Sequence, residues 1–257
     1  MAHGTMNRPY GAEEVALIRE SAQIVGRCLR HLTREVRPGV STLDLDRIAE
    51  QFIRDHGGEP AFLGYRGFPA SICASVNEEV VHGIPSATRR LNEGDVISLD
   101  IGVKKAGFFG DAARTFAVGT VTPETQRLLE ATERSLHAGI DRARPEGRVS
   151  DISAAIERTV KAAGFSVVRA LVGHGVGRAL HEEPQVPNYG RPGEGPKLRV
   201  GMVLAIEPMV NAGTANVVTL SDEWTVVTAD RKRSAHFEHT VAIGAAGPEI
   251  LSLIEAD

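Results

Sequence analysis

Apolar positions mark two helical stretches before any strand-like run appears. Leu17, Ile24, Val25, Cys28, Leu32 and Val36 recur at helical spacing between Glu13 and Val36, which predicts an amphipathic first helix. Ser41 or Thr42 is placed to cap a second helix that stops at Gly57. The order then repeats. Thr122 before Pro123 is an N-cap followed by proline at the first helical position, and Ser150 or Asp151 begins a helix that ends at Gly164. An apolar strand ending in a carboxylate follows each helix pair: Gly94-Asp95-Val96-Ile97-Ser98-Leu99-Asp100 and Gly201-Met202-Val203-Leu204-Ala205-Ile206-Glu207.

The two stretches are in register. Arg37-Pro38 and Arg144-Pro145 are 107 positions apart, as are Gly57 and Gly164, Leu91 and Leu198, and the two strands themselves. Further on, Thr115-Phe116-Ala117-Val118-Gly119 resembles Thr240-Val241-Ala242-Ile243-Gly244 at an offset of 125, which requires an 18-residue insertion in the second half. The expectation is one catalytic domain over 7–257, made of half-repeats at about 7–121 and 122–257 around an approximate two-fold axis. Residues 1–6, with two Met and a polar middle, read as a disordered N-terminus or expression remnant outside the fold.

Composition narrows the class. With 257 residues and 42% hydrophobic side chains, the chain can bury a full core, so a disordered or fibrous protein is excluded. A net charge of -4 offers no positive surplus for phosphates, and nucleic acid is not expected as a partner. Cys28 and Cys73 stand alone, without a CxxC pair, so neither a disulfide framework nor a thiolate zinc knuckle is expected. No apolar run approaches the ~18 residues needed to span a bilayer, and no signal core opens the chain. The cytoplasm is the expected compartment, with no membrane contact.

The carboxylates carry the chemistry. Asp100 and Asp111 flank Lys104-Lys105-Ala106-Gly107, and a hairpin centred between Lys105 and Ala106 sets them face to face. Directly opposed like charges, with Cβ atoms ~4.5–5.5 Å apart, are destabilising unless a cation neutralises them. The repeat lays Asp100 over Glu207 and puts Asp111 near Glu238, so four carboxylates gather at the pseudo-two-fold axis. His174, in Gly173-His174-Gly175-Val176-Gly177, adds an imidazole where glycines permit close backbone approach. Oxygen-rich ligation with one nitrogen favours Mn, Fe(II) or Co over structural zinc, and two divalent ions would balance four carboxylates. A two-metal hydrolase acting on an acyl or phosphoryl bond follows. Taken singly, each residue has a blander explanation: Asp in a hairpin is usually solvated, and His82 or His181 alone is often a polar surface residue.

Longer strings narrow this further. Ser75-Val76-Asn77-Glu78-Glu79-Val80-Val81-His82-Gly83-Ile84-Pro85, Gly173-His174-Gly175-Val176-Gly177-Arg178, Leu180-His181-Glu182-Glu183-Pro184, Ile206-Glu207-Pro208-Met209 and Phe237-Glu238-His239-Thr240 resemble type I methionine aminopeptidases of the bacterial style. The resemblance runs from about residue 12 to 253. It implies an α+β pita-bread fold: two pseudo-two-fold-related half-domains of antiparallel sheet covered by helices, with the metal site between them. It implies that Asp111 and Glu238 bridge two divalent ions (Mn, Fe(II) or Co, with Zn as a further option), that Asp100 holds one ion, and that His174 and Glu207 complete the other. By the same resemblance a bridging water or hydroxide attacks the scissile carbonyl, Glu207 shuttles its proton, His181 stabilises the carbonyl oxygen and His82 contacts the scissile amide nitrogen.

The implied reaction is removal of the initiator methionine from nascent chains when the second residue is small. Positions matching the methionine pocket are Phe62, Tyr65, Phe68, Cys73 and Trp224, alongside His82 and His181. Leu180 stands where the family often has an aromatic residue, and Phe68 where it often has tyrosine. Expected partners are nascent polypeptide N-termini beginning with Met, with ribosome association and a monomeric state as further expectations. Only 31 positions separate Glu207 from Glu238, too few for the helical insertion of type II enzymes. Three other readings stand beside this one. Prolidase or aminopeptidase P usually carries a further N-terminal domain, for which 257 residues leave no space; a non-catalytic binding module would have lost its ligands; a two-metal phosphoesterase would lack the apolar pocket.

Overall fold

The computed structural model describes residues 9–253. The N-terminal segment at 1–6, expected to be a remnant or disordered terminus, and residues 7–8 and 254–257 of the expected domain lie outside the described residues. In the first half, α1 (Ala12–Leu32) and α2 (Thr42–Asp55) lead to β1 (Glu59–Pro60), a 3-10 turn at Tyr65–Gly67, β2 (Cys73–Val76), β3 (Glu79–Val81), β4 (Val96–Lys105) and β5 (Phe108–Ala117). In the second, α3 (Pro123–Ile140) and α4 (Val149–Ala162) lead to β6 (Ser166–Val167), β7 (Val172–Gly175), β8 (Glu182–Pro187) and β9 (Val203–Ile206). Then follow β10 (Met209–Asn211), β11 (Val217–Thr219), β12 (Val226–Thr228), β13 (Ser234–His236), β14 (His239–Gly244) and β15 (Gly247–Ile250).

Helix ends follow their caps. Ser41 accepts the Asp44 N–H, while Asp44 accepts from Ser41, a reciprocal capping box that starts α2. Thr122 Oγ1 caps α3 by accepting the Thr125 N–H, with Pro123 at the first position. The last expected helix begins earlier than Ser150: Arg148 is its N-cap, and the Asp151 carboxylate reaches back to the Arg148 N–H. The first helix stops at Leu32 rather than Val36. Leu32 O accepts from both Glu35 and Val36 in a turn ahead of Pro38, which disfavours helix in the residue before it.

Every strand pairing among the described residues is antiparallel. β4 lies between β1 and β2 and also pairs with β5; a five-stranded sheet runs β15-β14-β9-β7-β8. Helices α1 and α2 cover the first sheet through Ile24, Val25, Leu45 and Ile53, which pack on Ile97, Leu99 and Ile101 of β4. Leu99 is fully buried, and truncating such a core leucine to alanine costs about 2–5 kcal/mol. Helices α3 and α4 cover the second sheet in the same manner through Leu128, Leu136, Ile152 and Ile156.

Hydrogen bonds recur along the chain. The isolated bridges Ser41–Arg90 and Arg148–Lys197 lie 107 positions apart at both ends. So do the Gly39 N–H to Leu91 O and Glu146 N–H to Leu198 O bonds. Glu238 N–H donates to Ala113 O, and Asp111 N–H to Thr240 Oγ1, so β5 and β14 meet at the centre of the molecule.

The β4–β5 register differs from the expected one. Ala106 and Gly107 occupy the turn, with φ of 50° and 82°, so the hairpin is centred one residue further on. Two positive φ values fit a type I′ turn, whose twist matches the strands and whose second position favours glycine. Asp100 therefore opposes Ala113, and Asp111 opposes Gly102. Asp100 also lies in mid-strand, not at a strand end.

Candidate metal centre

Since Asp111 and Ala113 are two residues apart on one strand, Asp100 and Asp111 share a face and meet on the diagonal. Opposite Asp111, Gly102 has no side chain, and a Cβ there would run into the Phe62 ring. Glu207 follows directly after β9, its carbonyl held by Asn188 Nδ2 at 3.0 Å. Glu238 sits in the link between β13 and β14, tied to β5 by its N–H. Thr240 Oγ1 accepts from Asp111 N–H and donates to Asp111 O, fixing the backbone beneath that carboxylate.

His174 stands on β7, where Gly173 lets the strand lie against β9: a Cβ at 173 would collide with the Ala205 carbonyl. Its Nδ1 lies 2.9 Å from Gly175 O, and a carbonyl can only accept, so Nδ1 carries the proton and Nε2 presents a bare lone pair. That lone pair points at Glu207 Oε1, 3.4 Å away. Two acceptors at this distance repel unless a cation lies with them.

Asp111, His174 and Glu238 each offer a ligand atom, all within 4.8 Å of one another. Asp111 is 4% exposed and Glu238 2%, and Asp111 Oδ1, Glu238 Oε1 and Asp100 Oδ1 are buried without a hydrogen-bond partner. Loss of water raises the Asp100 carboxyl to about 7. Burial first, and mutual repulsion second, push Asp111, Glu207 and Glu238 well above the usual carboxylate range. Burial lowers His174 to about 4, so its imidazole is neutral and able to ligate. Orphaned anionic oxygens around a free imidazole nitrogen fit divalent cations with oxygen-rich ligation.

The carboxylates form one end of a cavity of about 280 Å³ whose other walls are apolar and aromatic. Phe62, Tyr65, Phe68, Cys73 and Trp224 line it, together with His82, His181 and all five expected ligands. Phe68 meets Trp224 edge to face at 5.1 Å, and the His82 ring lies 6.3 Å from the same indole. His82 takes φ 59° ahead of Gly83, whose missing Cβ lets the turn approach the Ala74 carbonyl. His181 stacks on Tyr65, with its Nδ1 3.0 Å from the Tyr65 hydroxyl. Loss of water, reinforced by His174 and Arg66, holds it below the ordinary histidine range. Burial lifts the Cys73 thiol well above its usual value, which leaves Cys73 as cavity wall rather than nucleophile.

The sequence reading missed His236, Met209 and Arg66, which also line the cavity. The spacing His236-Phe237-Glu238 held a signal: in extended chain, residues two apart share a face. Fold and site together define a buried carboxylate–imidazole cluster, fit for divalent cations, opening into an apolar pocket.

The comparisons with known proteins agree. The model of metallopeptidase family M24 matches residues 16–245. A curated methionine aminopeptidase of Clostridium perfringens is 56% identical over 242 residues, covering 94% of this chain and 97% of the relative. Methionine aminopeptidase 1 of Bacillus subtilis is 54% identical over 241 residues, with coverage of 94% and 97%. The crystal structure of methionine aminopeptidase from Thermotoga maritima superposes with a TM-score of 0.96 at 42% identity, covering 97% of this chain and all of that one. A prolidase from Pyrococcus furiosus, 21% identical with a TM-score of 0.77, shares the fold, with 96% of this chain and 66% of that one covered. The chain belongs to metallopeptidase family M24 and, within it, to the type I methionine aminopeptidases, with the α+β pita-bread fold.

Proposed function

We propose that this enzyme removes the N-terminal methionine from nascent proteins and peptides whose second residue is small. The observation that carries the reading is the continuity of the buried carboxylate–imidazole cluster with one aromatic, apolar cavity. A flexible thioether suits such walls, since sulfur–aromatic contacts add about 0.3–1.5 kcal/mol to its burial.

Asp100, Asp111, His174, Glu207 and Glu238 would hold two divalent ions, of Mn, Fe(II) or Co, with Zn as a further option. Such ions, when bound, supply an activated water at neutral pH and polarise the scissile carbonyl. The protein supplies the rest. Phe62, Tyr65, Phe68, Cys73 and Trp224 take the methionine side chain and exclude water. Glu207, its carboxyl raised by burial, takes a proton from the attacking water at its Oε atoms and returns it to the leaving nitrogen. With the Tyr65 hydroxyl donating to His181 Nδ1, the His181 proton sits on Nε2, free to meet the carbonyl oxygen as charge develops there. His82 is the remaining donor, for the amide nitrogen.

We further infer one catalytic domain over 7–257, with related halves at about 7–121 and 122–257; the hydrogen bonds that recur at an offset of 107 support this. A cytoplasmic monomer that meets nascent chains at the ribosome completes the proposal. Among the described residues no helix is long and apolar enough to cross a membrane.

The test is methionine release from Met-Ala-Ser by metal-stripped protein, before and after Mn(II) or Co(II), beside a phosphate-ester control. Release only with metal, and no ester cleavage, is expected. Folded protein that releases nothing with any divalent ion would overturn the reading.

A further inference from the structure

His236 is a buried imidazole that the reaction above does not use. It ends β13, is 1% exposed, and lines the cavity with Asp111, Glu207 and Glu238. Its backbone is clamped: the N–H donates to Thr115 Oγ1 at 2.8 Å, and the Thr115 hydroxyl donates back to its carbonyl. Ser98, opposite Thr115 across the β4–β5 pair, completes the clamp at 2.8 Å from Thr115 Oγ1. The ring is thus held at a set depth, yet neither of its nitrogens has a hydrogen-bond partner. Leaving a buried donor unpaired costs about 1–3 kcal/mol, so a ring placed this way calls for a task.

The geometry supplies one. Nε2 lies 3.8 Å from Glu207 Oε2, while Oε1 of the same carboxylate faces His174 Nε2 at 3.4 Å. The two imidazoles that bracket Glu207 therefore differ. His174 keeps its proton on Nδ1, bound to Gly175 O, whereas no such acceptor draws the His236 proton to Nδ1. On Nε2 that proton points at a carboxylate oxygen. The separation exceeds a direct hydrogen bond, and contacts of this kind tighten when an active site is loaded.

We propose that His236 is a positioning residue that donates its Nε2–H to Glu207 Oε2, turning Oε1 toward His174 and the cations. The proposal rests on Glu207 being a metal ligand and proton carrier. Partners that orient ligands from behind set both metal affinity and the rate of the step that the ligand serves.

The test uses the full-length protein with His236→Leu, which removes the donor, and His236→Gln, which restores an N–H at similar reach. Mn(II) affinity of the metal-stripped protein is measured by calorimetry, and kcat and KM on Met-Ala-Ser at saturating Mn(II). His236→Leu should weaken Mn(II) binding about 10- to 100-fold and lower kcat similarly, with KM little changed, and His236→Gln should recover most of both. Wild-type affinity and kcat in a folded His236→Leu protein would overturn the proposal, as would a His236→Gln protein equally impaired. Thermal unfolding verifies the fold; if His236→Leu does not fold, His236→Asn, whose amide falls one methylene short, takes its place with the same expected loss. The calorimetric arm stands even if wild-type protein releases no methionine, so failure of the proposal and failure of the functional reading are distinguishable.

Discussion

The β4–β5 pair and the β9–β14 pair share a hydrogen-bonded frame and differ in what joins their strands. Gly94 N–H donates to Val118 O and Val118 N–H to Asp95 O; in the second half Gly201 N–H donates to Ile243 O and Ile243 N–H to Met202 O. Between β4 and β5 stands a two-residue turn. Between Glu207, directly after β9, and Glu238, directly before β14, run residues 208–237, which carry β10 to β13 and bring Met209, Trp224 and His236 to the cavity. The frame delivers the carboxylates and the insertion delivers much of the pocket wall. Changes to the frame should therefore stop the chemistry, and changes to the insertion should tune it.

The largest expected effect is on the frame. Asp111→Asn or Glu238→Gln removes a carboxylate of the proposed ligand set and should cost more than the ~10–100-fold that loss of an orienting partner costs, taking methionine release below detection. Near-normal turnover in either variant would detach these carboxylates from the reaction. Next comes His181, which lies outside the frame strands, directly before β8. His181→Ala should lower kcat about 100-fold or more, as loss of one donor to a developing oxyanion does, while thermal stability changes little because the ring lies at the exposed cavity rim. Unchanged kcat would assign His181 to the wall.

On the insertion, Trp224→Ala should leave metal affinity intact and lower kcat/KM for Met-Ala-Ser by about 2- to 13-fold, the worth of an aromatic contact of ~0.5–1.5 kcal/mol. It should also relax the preference for methionine over leucine at the first position. A loss of metal affinity in this variant would erase the division between frame and wall.

The same division governs what the sequence reveals. Strand starts and carboxylates are legible because the repeat aligns Gly94 with Gly201 and Asp100 with Glu207. The Asp100–Asp111 register is not, because it turns on one residue: whether the hairpin is centred before or after Ala106. Nor is the partner of His181, since the Tyr65 hydroxyl comes from 116 positions away, and no local pattern announces so distant a contact. His236 looks like an ordinary core histidine until the unpaired nitrogens are seen. Aromatic wall residues carry no signal of their own, being buried in most folds, and only the resemblance to a family promotes them.

The smallest expected effect is on stability, and its sign follows from the cluster. Without metal, Asp100 titrates at about 7 in the folded chain and burial holds the other three carboxyls well above their usual range, against about 4 when unfolded. As pH falls from 9 to 7 the folded state takes up protons that the unfolded state does not, so stability rises. Below about pH 6.5 the balance reverses. His174, lowered to about 4, and His236, to about 3, stay neutral in the fold but become charged when released, so acid favours unfolding. The Tm of chelator-treated protein should therefore rise by a few degrees between pH 9 and pH 7 and fall again below pH 6. Saturating Mn(II) should flatten the alkaline limb, because cations then balance the charges that protons otherwise would. A Tm of the metal-free protein that climbs steadily from pH 7 to 9 would mean that the four carboxyls do not share one buried cluster.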